Sequence, residues 1–254
     1  MSMQTKVRAV VVLTPAESKR LIAKAVVALP EVRRALERGR LIIGNGTTNA
    51  YVAEELLGRP VTKVNYAAGV IWNGELGTTQ GREHLHPFVL VRGQLSEVPF
   101  TEAIKEFTAG DVFIKGANAV DTQGHAGVLL ASAVGGTIGA ILGIVASRGI
   151  HLIVPVGLEK LVPSVIAGSR HLGQGTAKRV MGHQVGLMPL VNAQVVTEIQ
   201  ALETLAGVSA VHVSSGGISG SEGSVVLALE GNESDVDRAY EIVLSVKGEP
   251  PITE

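Results

Sequence analysis

Short apolar runs alternate with segments of helical periodicity along the first two thirds of the chain. Apolar strands are predicted near residues 40–43, 61–70, 86–91, 111–114 and 150–154. Apolar residues spaced three or four apart predict helices that begin near residues 15, 30, 47, 101 and 158. Continuously apolar strands that alternate with helices are typical of an α/β fold with a largely parallel, Rossmann-like sheet.

The pattern changes after residue 169. Residues 170–186 are rich in glycine and basic side chains and are predicted to be a connection. A strand near 187–195, a helix at 197–205, strands at 209–214 and 224–229, and a helix at 233–245 follow. This β-α-β-β-α order is most of a ferredoxin-like unit. We therefore predict an α/β domain at residues 1–169 and a smaller, ferredoxin-like α+β domain at residues 187–249.

Residues 126–147 carry no charged side chain and are a candidate for either a membrane span or a buried helix. Gly135, Gly139 and Gly143 are spaced four apart, which is a pattern that pairs helices in bilayers. The high glycine content, and the charges and proline that follow soon afterwards, favour a glycine-rich helix packed on a parallel sheet. We expect no membrane partner.

Composition excludes several classes of function. Lys and Arg number 22 against 23 Asp and Glu, with a formal net charge of −1, so no basic field attracts a nucleic acid. One Trp, three Tyr and four Phe leave little surface for stacking bases. Cysteine is absent, which excludes disulfides, thiolate metal sites and cysteine nucleophiles. No signal peptide is visible, and we expect a cytoplasmic protein.

The turn formed by Gly44, Asn45, Gly46, Thr47 and Thr48 is the most informative motif. It joins an apolar strand to a helix, and such a turn directs backbone N–H groups and a helix N-terminus at one point, where an anion is favoured. The two threonines add hydroxyl groups, and one of them is predicted to cap the helix. The motif is either a phosphate or carboxylate site or an ordinary strand-to-helix connection.

A second polar segment, at residues 115–121, also follows a buried strand. Ligands of α/β folds bind at the carboxyl ends of strands, so this segment is expected to face the glycine turn. Lys115 could pair with a phosphate, act as an amine nucleophile, or form an ion pair with Asp121.

These motifs resemble those of the superfamily that contains ribose-5-phosphate isomerase, glucosamine-6-phosphate deaminase and the CoA-transferases. Residues 44–48 are similar to the G-x-G-[ST]-T phosphate loop of the isomerase, which also has a ferredoxin-like lid, and residues 158–162 are similar to a later stretch of it. Residues 17–25, taken with the loop, resemble the effector domain of DeoR-type regulators, which bind sugar phosphates. The resemblance implies that Lys19, Gly116 and Lys160 join the ligand-binding set, that no cofactor is needed, and that the protein is a homo-oligomer.

The chain departs from the isomerase where two acids should stand. The isomerase motif D-G-A-D-E-[VI]-D supplies aspartates that help to move a proton between adjacent carbons. Here Lys115 and Asn118 occupy the two aspartate positions of D-G-A-D, and Asp121 stands at the last one. Lysine is an ammonium unless its pKa is strongly lowered, and asparagine cannot exchange a proton near neutrality. Isomerisation by the family mechanism is therefore not expected. If the protein is a diverged enzyme, Lys115, Asn118 and Asp121 are its predicted catalytic residues.

Other candidates are weaker. His84 and His86, with His125 and Glu83, could supply ligands to a metal, but the spacing alone does not define a site, and we expect no metal. The polar stretch 214–223 is either a loop that reaches a ligand or a long turn, and loop statistics favour the turn. Glu75 is a spare carboxylate near a possible cleft and a candidate general base.

The expected function is the binding of a small phosphorylated metabolite, or of a nucleotide-like or CoA-like anion, at residues 44–48. Such a protein is either a diverged isomerase-like or transferase-like enzyme, or a non-catalytic sensor or assembly module. Because no basic helix-turn-helix precedes Thr14, a sensor would act through a protein partner.

The purified protein should not isomerise ribose 5-phosphate, because Lys115 and Asn118 replace the acids that this reaction needs. Formation of ribulose 5-phosphate is the measurement, with an active isomerase as the positive control. Turnover within a hundredfold of an ordinary enzyme, about 10 s⁻¹ at the median, would show that another group serves as the base and would contradict the prediction.

Overall fold

The computed structural model describes residues 6–78 and 85–253, which have a mixed α/β architecture. The strands are β1 (Val7–Leu13), β2 (Arg40–Ile43), β3 (Gly69–Trp72), β4 (Glu75–Thr78), β5 (Phe88–Val91), β6 (Gln94–Ser96), β7 (Val112–Ile114), β8 (Ala119–Val120), β9 (Ala126–Leu130), β10 (His151–Pro155), β11 (Gly186–Leu190), β12 (Gln194–Val196), β13 (Ser209–Gly216) and β14 (Ser224–Gly231). The helices are α1 (Pro15–Ala28), α2 (Pro30–Arg38), α3 (Thr47–Leu57), α4 (Lys63–Tyr66), α5 (Phe100–Ala103), α6 (Gly136–Arg148), α7 (Val165–Ser169), α8 (Glu198–Ala206) and α9 (Glu233–Leu244).

A six-stranded sheet in the order β12-β10-β7-β2-β5-β6 forms the centre of the fold. The first four strands are parallel to their neighbours, β5 is antiparallel to β2, and β6 is antiparallel to β5. Residues 41–43 of β2 pair with residues 112–114 of β7, and all six side chains are fully buried. Burial on both faces explains why these strands are continuously apolar. The α/β class is thus confirmed, with a sheet that is mixed rather than wholly parallel.

The strand predicted at residues 61–70 is mostly absent. Its middle forms the one-turn helix α4, and extended backbone begins only with β3. Tyr66 at the end of α4 is fully buried, its ring stacks on Phe88 with 5.0 Å between centroids, and its hydroxyl donates to the carbonyl of Ile43. Seating this side chain against β2 outweighs the strand propensity of the valines and threonine around it.

Strand partners near the C-terminus differ from those predicted. The strand predicted at 187–195 is two strands: β11 pairs antiparallel with β9, and β12 is the edge of the six-stranded sheet, parallel to β10. The smaller antiparallel sheet has the order β1-β14-β13, so the first strand of the chain completes it. Leu13 and Leu227 share one buried cluster with Leu41 and Ile43. The division near residue 169 stays a prediction.

The uncharged segment at residues 126–147 forms strand β9, a short loop and most of helix α6. Ile138, Ile141 and Val145 are the buried side chains of α6, whereas Gly139 and Gly143 lie on its exposed face. The helix contributes its larger side chains to the buried cluster that contains Ile42 and Phe113 of the sheet, while its glycines stay outside that contact. Within the described residues, no helix combines the length and apolar character that crossing a bilayer requires.

The two exposed glycines of α6 should respond differently to alanine. Gly143 has open space where a Cβ would lie, so Gly143→Ala should stabilise the protein by about 0.5–1 kcal/mol, the usual helical gain over glycine. At Gly139 the same atom would lie 2.6 Å from the carbonyl oxygen of Val134, so Gly139→Ala should be destabilising. Urea unfolding of both variants is the measurement, and equal effects would contradict the geometry.

Candidate functional site

An open cleft of about 890 Å³ lies where three neighbouring parallel strands end. Its floor consists of the residues that follow β2, β7 and β10: Asn45, Gly46, Thr47, Thr48, Lys115, Gly116, Ala117, Asn118, Glu159 and Lys160. Ligands of α/β sheets bind at this edge. The structure thus brings together the two motifs that the sequence placed at strand ends.

Two segments remote in sequence complete the walls. Gly220 and Glu222 come from the loop between β13 and β14, and residues 248–252 come from the C-terminal tail. Of the two alternatives for this loop, loop statistics favoured a long turn over a loop that reaches a ligand, and the loop does border the cleft. Apolar side chains also line the cleft: Leu76, Val128, Leu130, Ile138 and Ile252.

The glycine turn is held by hydrogen bonds at both ends. The N–H of Gly44 donates to the carbonyl of Ile114 at 2.8 Å, and that of Gly46 donates to the carbonyl of Tyr66 at 3.0 Å. Gly44 lies behind the cleft, where an added Cβ would be 3.2 Å from the Ile114 oxygen and 3.2 Å from Cδ of Lys115. Glycine at this position therefore permits close approach of the turn to β7.

The start of α3 leaves several donors unused. Gly46 is the N-cap, without a side-chain cap, and the threonines lie inside the first turn, so the predicted threonine cap is wrong. Ala50 makes the first intrahelical bond, to Gly46. In the described part of the chain, no hydrogen bond involves the amide N–H groups of residues 47–49. The Thr48 hydroxyl is also buried without a partner. These donors, with the helix dipole, favour a negative charge in front of α3.

Lys115 stands beside this helix start. Its Nζ donates to the carbonyls of Gly116 at 3.2 Å and Asn45 at 3.4 Å. Among the described residues it forms no ion pair with a carboxylate, so the expected alternative of a bridge to Asp121 is not observed. Burial, and then the positive charge of Lys160, lower the pKa of Lys115 to about 8.

Lys160 is the second ammonium of the floor. Its Nζ donates to the carbonyl of Ala117 at 3.1 Å, and burial lowers its pKa to about 8. The positive charge of Lys19 also lowers the pKa of Lys160, whereas the negative charges of Glu159 and Glu198 raise it. Lys19 itself is neutralised, because its Nζ lies 2.6 Å from Oε1 of Glu159. Of the three, only Lys115 and Lys160 form no ion pair with a carboxylate among the described residues.

Asp121 does not line the cleft and instead binds backbone N–H groups of neighbouring segments. Its carboxylate accepts hydrogen bonds from the backbone N–H groups of Gln123, His125 and Val165, each at 3.0 Å. Burial would raise its pKa, but these donors lower it overall. Asn118 does line the cleft, although its Oδ1 accepts from the N–H of Leu129. Catalytic roles for both residues stay predictions.

The two carboxylates near the lysines, those of Glu159 and Glu198, were not identified from the sequence. Oε2 of Glu159 is buried without a hydrogen-bond partner. Glu198 is fully buried, accepts from the N–H of Leu158 at 2.9 Å, and has a pKa raised by burial. Both carboxylates border Gly157, where an added Cβ would be 3.0 Å from Glu159 and 3.2 Å from Glu198. That glycine is the only sequence signal for their proximity.

The histidines considered as metal ligands do not gather in the described structure. His125 contacts Asp121 at 3.2 Å, and His86 lies on the exposed surface. Glu83 and His84 lie outside the described residues. Within the described ranges, no three histidine or acidic side chains are grouped as a metal site would require.

Comparison with known proteins gives no family name. No protein-family model, curated protein or solved structure matches this chain. The resemblance to the isomerase superfamily therefore rests on its short motifs and stays a prediction.

Replacing Lys115 by methionine should stabilise the protein at pH 7. The pKa of this lysine is about 8 in the folded chain, against an ordinary value of 10.5. The unfolded chain therefore binds more protons between these values, and the contribution of Lys115 to stability rises with pH across that window. Methionine removes the cost of burying an ammonium, so its gain should be about 1–3 kcal/mol at pH 7 and should shrink towards zero near pH 10.5.

Urea unfolding at both pH values measures this difference. Lys178→Met is the matched control, because Lys178 is exposed and outside the cleft. A loss of stability at pH 7 in the Lys115 variant alone would show that the ammonium is stabilising, and would contradict the prediction.

Proposed function

We propose that this protein binds a small phosphorylated metabolite, or the phosphate group of a nucleotide-like or CoA-like molecule, in the cleft. One observation carries the proposal. The ammonium groups of Lys115 and Lys160, which have no carboxylate partners, line the same cleft as the unpaired donors at the start of α3. Phosphate oxygens satisfy both sets, since they accept several hydrogen bonds and carry the opposite charge.

The shape of the cleft supports a ligand larger than phosphate alone. About 890 Å³ lies at the upper end of the usual range for small-molecule sites, roughly 300–1,000 Å³. Besides the polar groups of its floor, the cleft has apolar lining side chains such as Leu76, Val128 and Ile252. A phosphate at α3 would thus leave room for the body of a sugar or nucleoside beside these side chains.

Electrostatics supports the same assignment. An anion between the two lysines stabilises their charged forms and raises their pKa values from about 8. Binding should consequently take up protons at pH values near and above 8, where the free protein has partly lost them. The two lysines are tolerated without carboxylates because the ligand supplies the negative charge.

Substitutions on the floor of the cleft should weaken phosphate binding selectively. Calorimetry with inorganic phosphate, ribose 5-phosphate and adenosine monophosphate is the measurement, and Lys160→Met should weaken binding about 10- to 100-fold, since a charge-assisted hydrogen bond is lost. Thr48→Val should weaken it less. Lys178→Met is the control and should bind as the wild type does. Equal affinity for ribose and ribose 5-phosphate, or no effect of Lys160→Met, would refute the assignment.

The binding heat should depend on the buffer. At pH 8.5 the same titration in two buffers of different ionisation enthalpy should reveal proton uptake, and at pH 6.5 the uptake by the lysines should be nearly absent. Proton release at pH 8.5, or no linkage at either pH, would contradict the role given to Lys115 and Lys160.

A further inference from the structure

Lys115 has the surroundings of a reactive amine. Its Nζ contacts two backbone carbonyls and forms no ion pair within the described chain. Its Cδ lies close to Gly44, where an added Cβ would be 3.2 Å away, so the stem of the side chain is held in place. The amine is partly buried yet borders an open cleft. A lysine that only stabilised the fold would be expected to meet a carboxylate here.

We propose that Lys115 forms an imine with the carbonyl group of a phosphorylated aldehyde or ketone whose phosphate lies at the N-terminus of α3. The inference rests on the proposed phosphate site and narrows its occupant to carbonyl compounds. Lys160 and the donors of α3 then hold the phosphate, while Lys115 reacts through the fraction of its amine that is neutral. The amine and the unpaired donors of α3 adjoin each other, since Nζ of Lys115 lies 3.4 Å from the carbonyl oxygen of Asn45 in the same turn. A ligand anchored at α3 therefore presents its neighbouring atoms to Lys115.

The reaction balances without an oxidant or reductant. The nitrogen electron pair forms a bond to the carbonyl carbon, the C=O π electrons move to oxygen, and a proton transfer from nitrogen to oxygen gives a carbinolamine. The hydroxyl then leaves as water after receiving a proton, and the nitrogen electron pair forms the C=N bond of a protonated imine, which becomes the imine when the nitrogen loses its remaining proton. Lys160 is the proposed donor of the proton that the hydroxyl receives, because it lines the same cleft as Lys115 and its pKa is about 8.

The charges around Lys115 increase the share of free amine near neutral pH. Burial and the adjacent Lys160 lower its pKa to about 8, and around Lys160 the charge of Lys19 is opposed by Glu159 and Glu198. At pH 7.5 about a quarter of Lys115 is then neutral, against about one in a thousand for an ordinary lysine. A neighbouring cation and an apolar site activate amine nucleophiles in this way. Allowing for a less basic nitrogen, Lys115 should react roughly 10- to 100-fold faster than an exposed lysine.

Trapping with borohydride tests the proposal directly. The wild-type protein is incubated at pH 7.5 with pyridoxal 5′-phosphate, which carries both an aldehyde and a phosphate, then reduced and mapped by peptide mass spectrometry. Lys115 should be labelled at least tenfold faster than exposed Lys178 in the same molecule. Pyridoxal, which lacks the phosphate, should label Lys115 more slowly, and pyridoxine 5′-phosphate, which lacks the aldehyde, should protect it. Lys115→Arg should remove the label.

The outcomes separate this inference from the binding proposal. If pyridoxine 5′-phosphate binds by calorimetry but Lys115 is labelled no faster than Lys178, the imine is refuted and the phosphate site stands. If pyridoxal labels Lys115 as fast as its phosphate ester does, the phosphorylated substrate is refuted.

A second variant tests the role of Lys160. In Lys160→Met the pKa of Lys115 should rise, so labelling by pyridoxal at pH 7.5 should fall several-fold and recover at pH 10. Pyridoxal is used because its reaction does not depend on phosphate binding. Unchanged labelling at pH 7.5 would refute the activation of Lys115 by its neighbour.

Discussion

The parallel alignment of β2, β7 and β10 is the constraint on which the site depends. Ile43 pairs with Ile114, and Ile114 pairs with Ile153, so the three strands end at nearly the same level. The residues that follow them are thereby collected on one floor. An antiparallel neighbour in place of β7 would carry Lys115 to the opposite edge of the sheet.

This arrangement gives the floor its unusual electrostatics. Loops at strand ends bring two ammonium groups into the cleft that the N-terminus of α3 also lines, and all three carry charge of the same sign. Lys19 and Glu159 compensate one another at 2.6 Å, whereas Lys115 and Lys160 have only carbonyl partners. The sheet core supplies the stability that this arrangement costs, as is common where a site is preorganised for a ligand. An anion would relieve the repulsion that the free protein maintains.

Local patterns predicted the parts of the site that lie within one motif. The strand ends before Gly44 and Lys115, and the turn between β2 and α3, follow from spacing alone. The position of Asp121 does not follow from spacing. Its carboxylate accepts a hydrogen bond from the N–H of Val165, which only the tertiary structure brings close to it. Likewise, the pairing of β1 with β14 joins segments more than 200 residues apart, and no periodicity in either strand specifies its partner.

Helix α1 connects the C-terminal tail to helix α3 beside the cleft. Glu17 receives a hydrogen bond from the N–H of Gly248 at 2.9 Å, and Arg20 links Glu249 of the tail to Glu55 of α3, each at 2.9 Å. Helix α1 thereby ties the tail that borders the cleft to the helix whose first turn forms its floor. Because Arg20 is largely buried, these ion pairs are less screened than surface pairs. The position of α3 is consequently fixed from two sides, by β7 through Gly44 and by the tail through Arg20, which keeps its unpaired donors directed at the cleft.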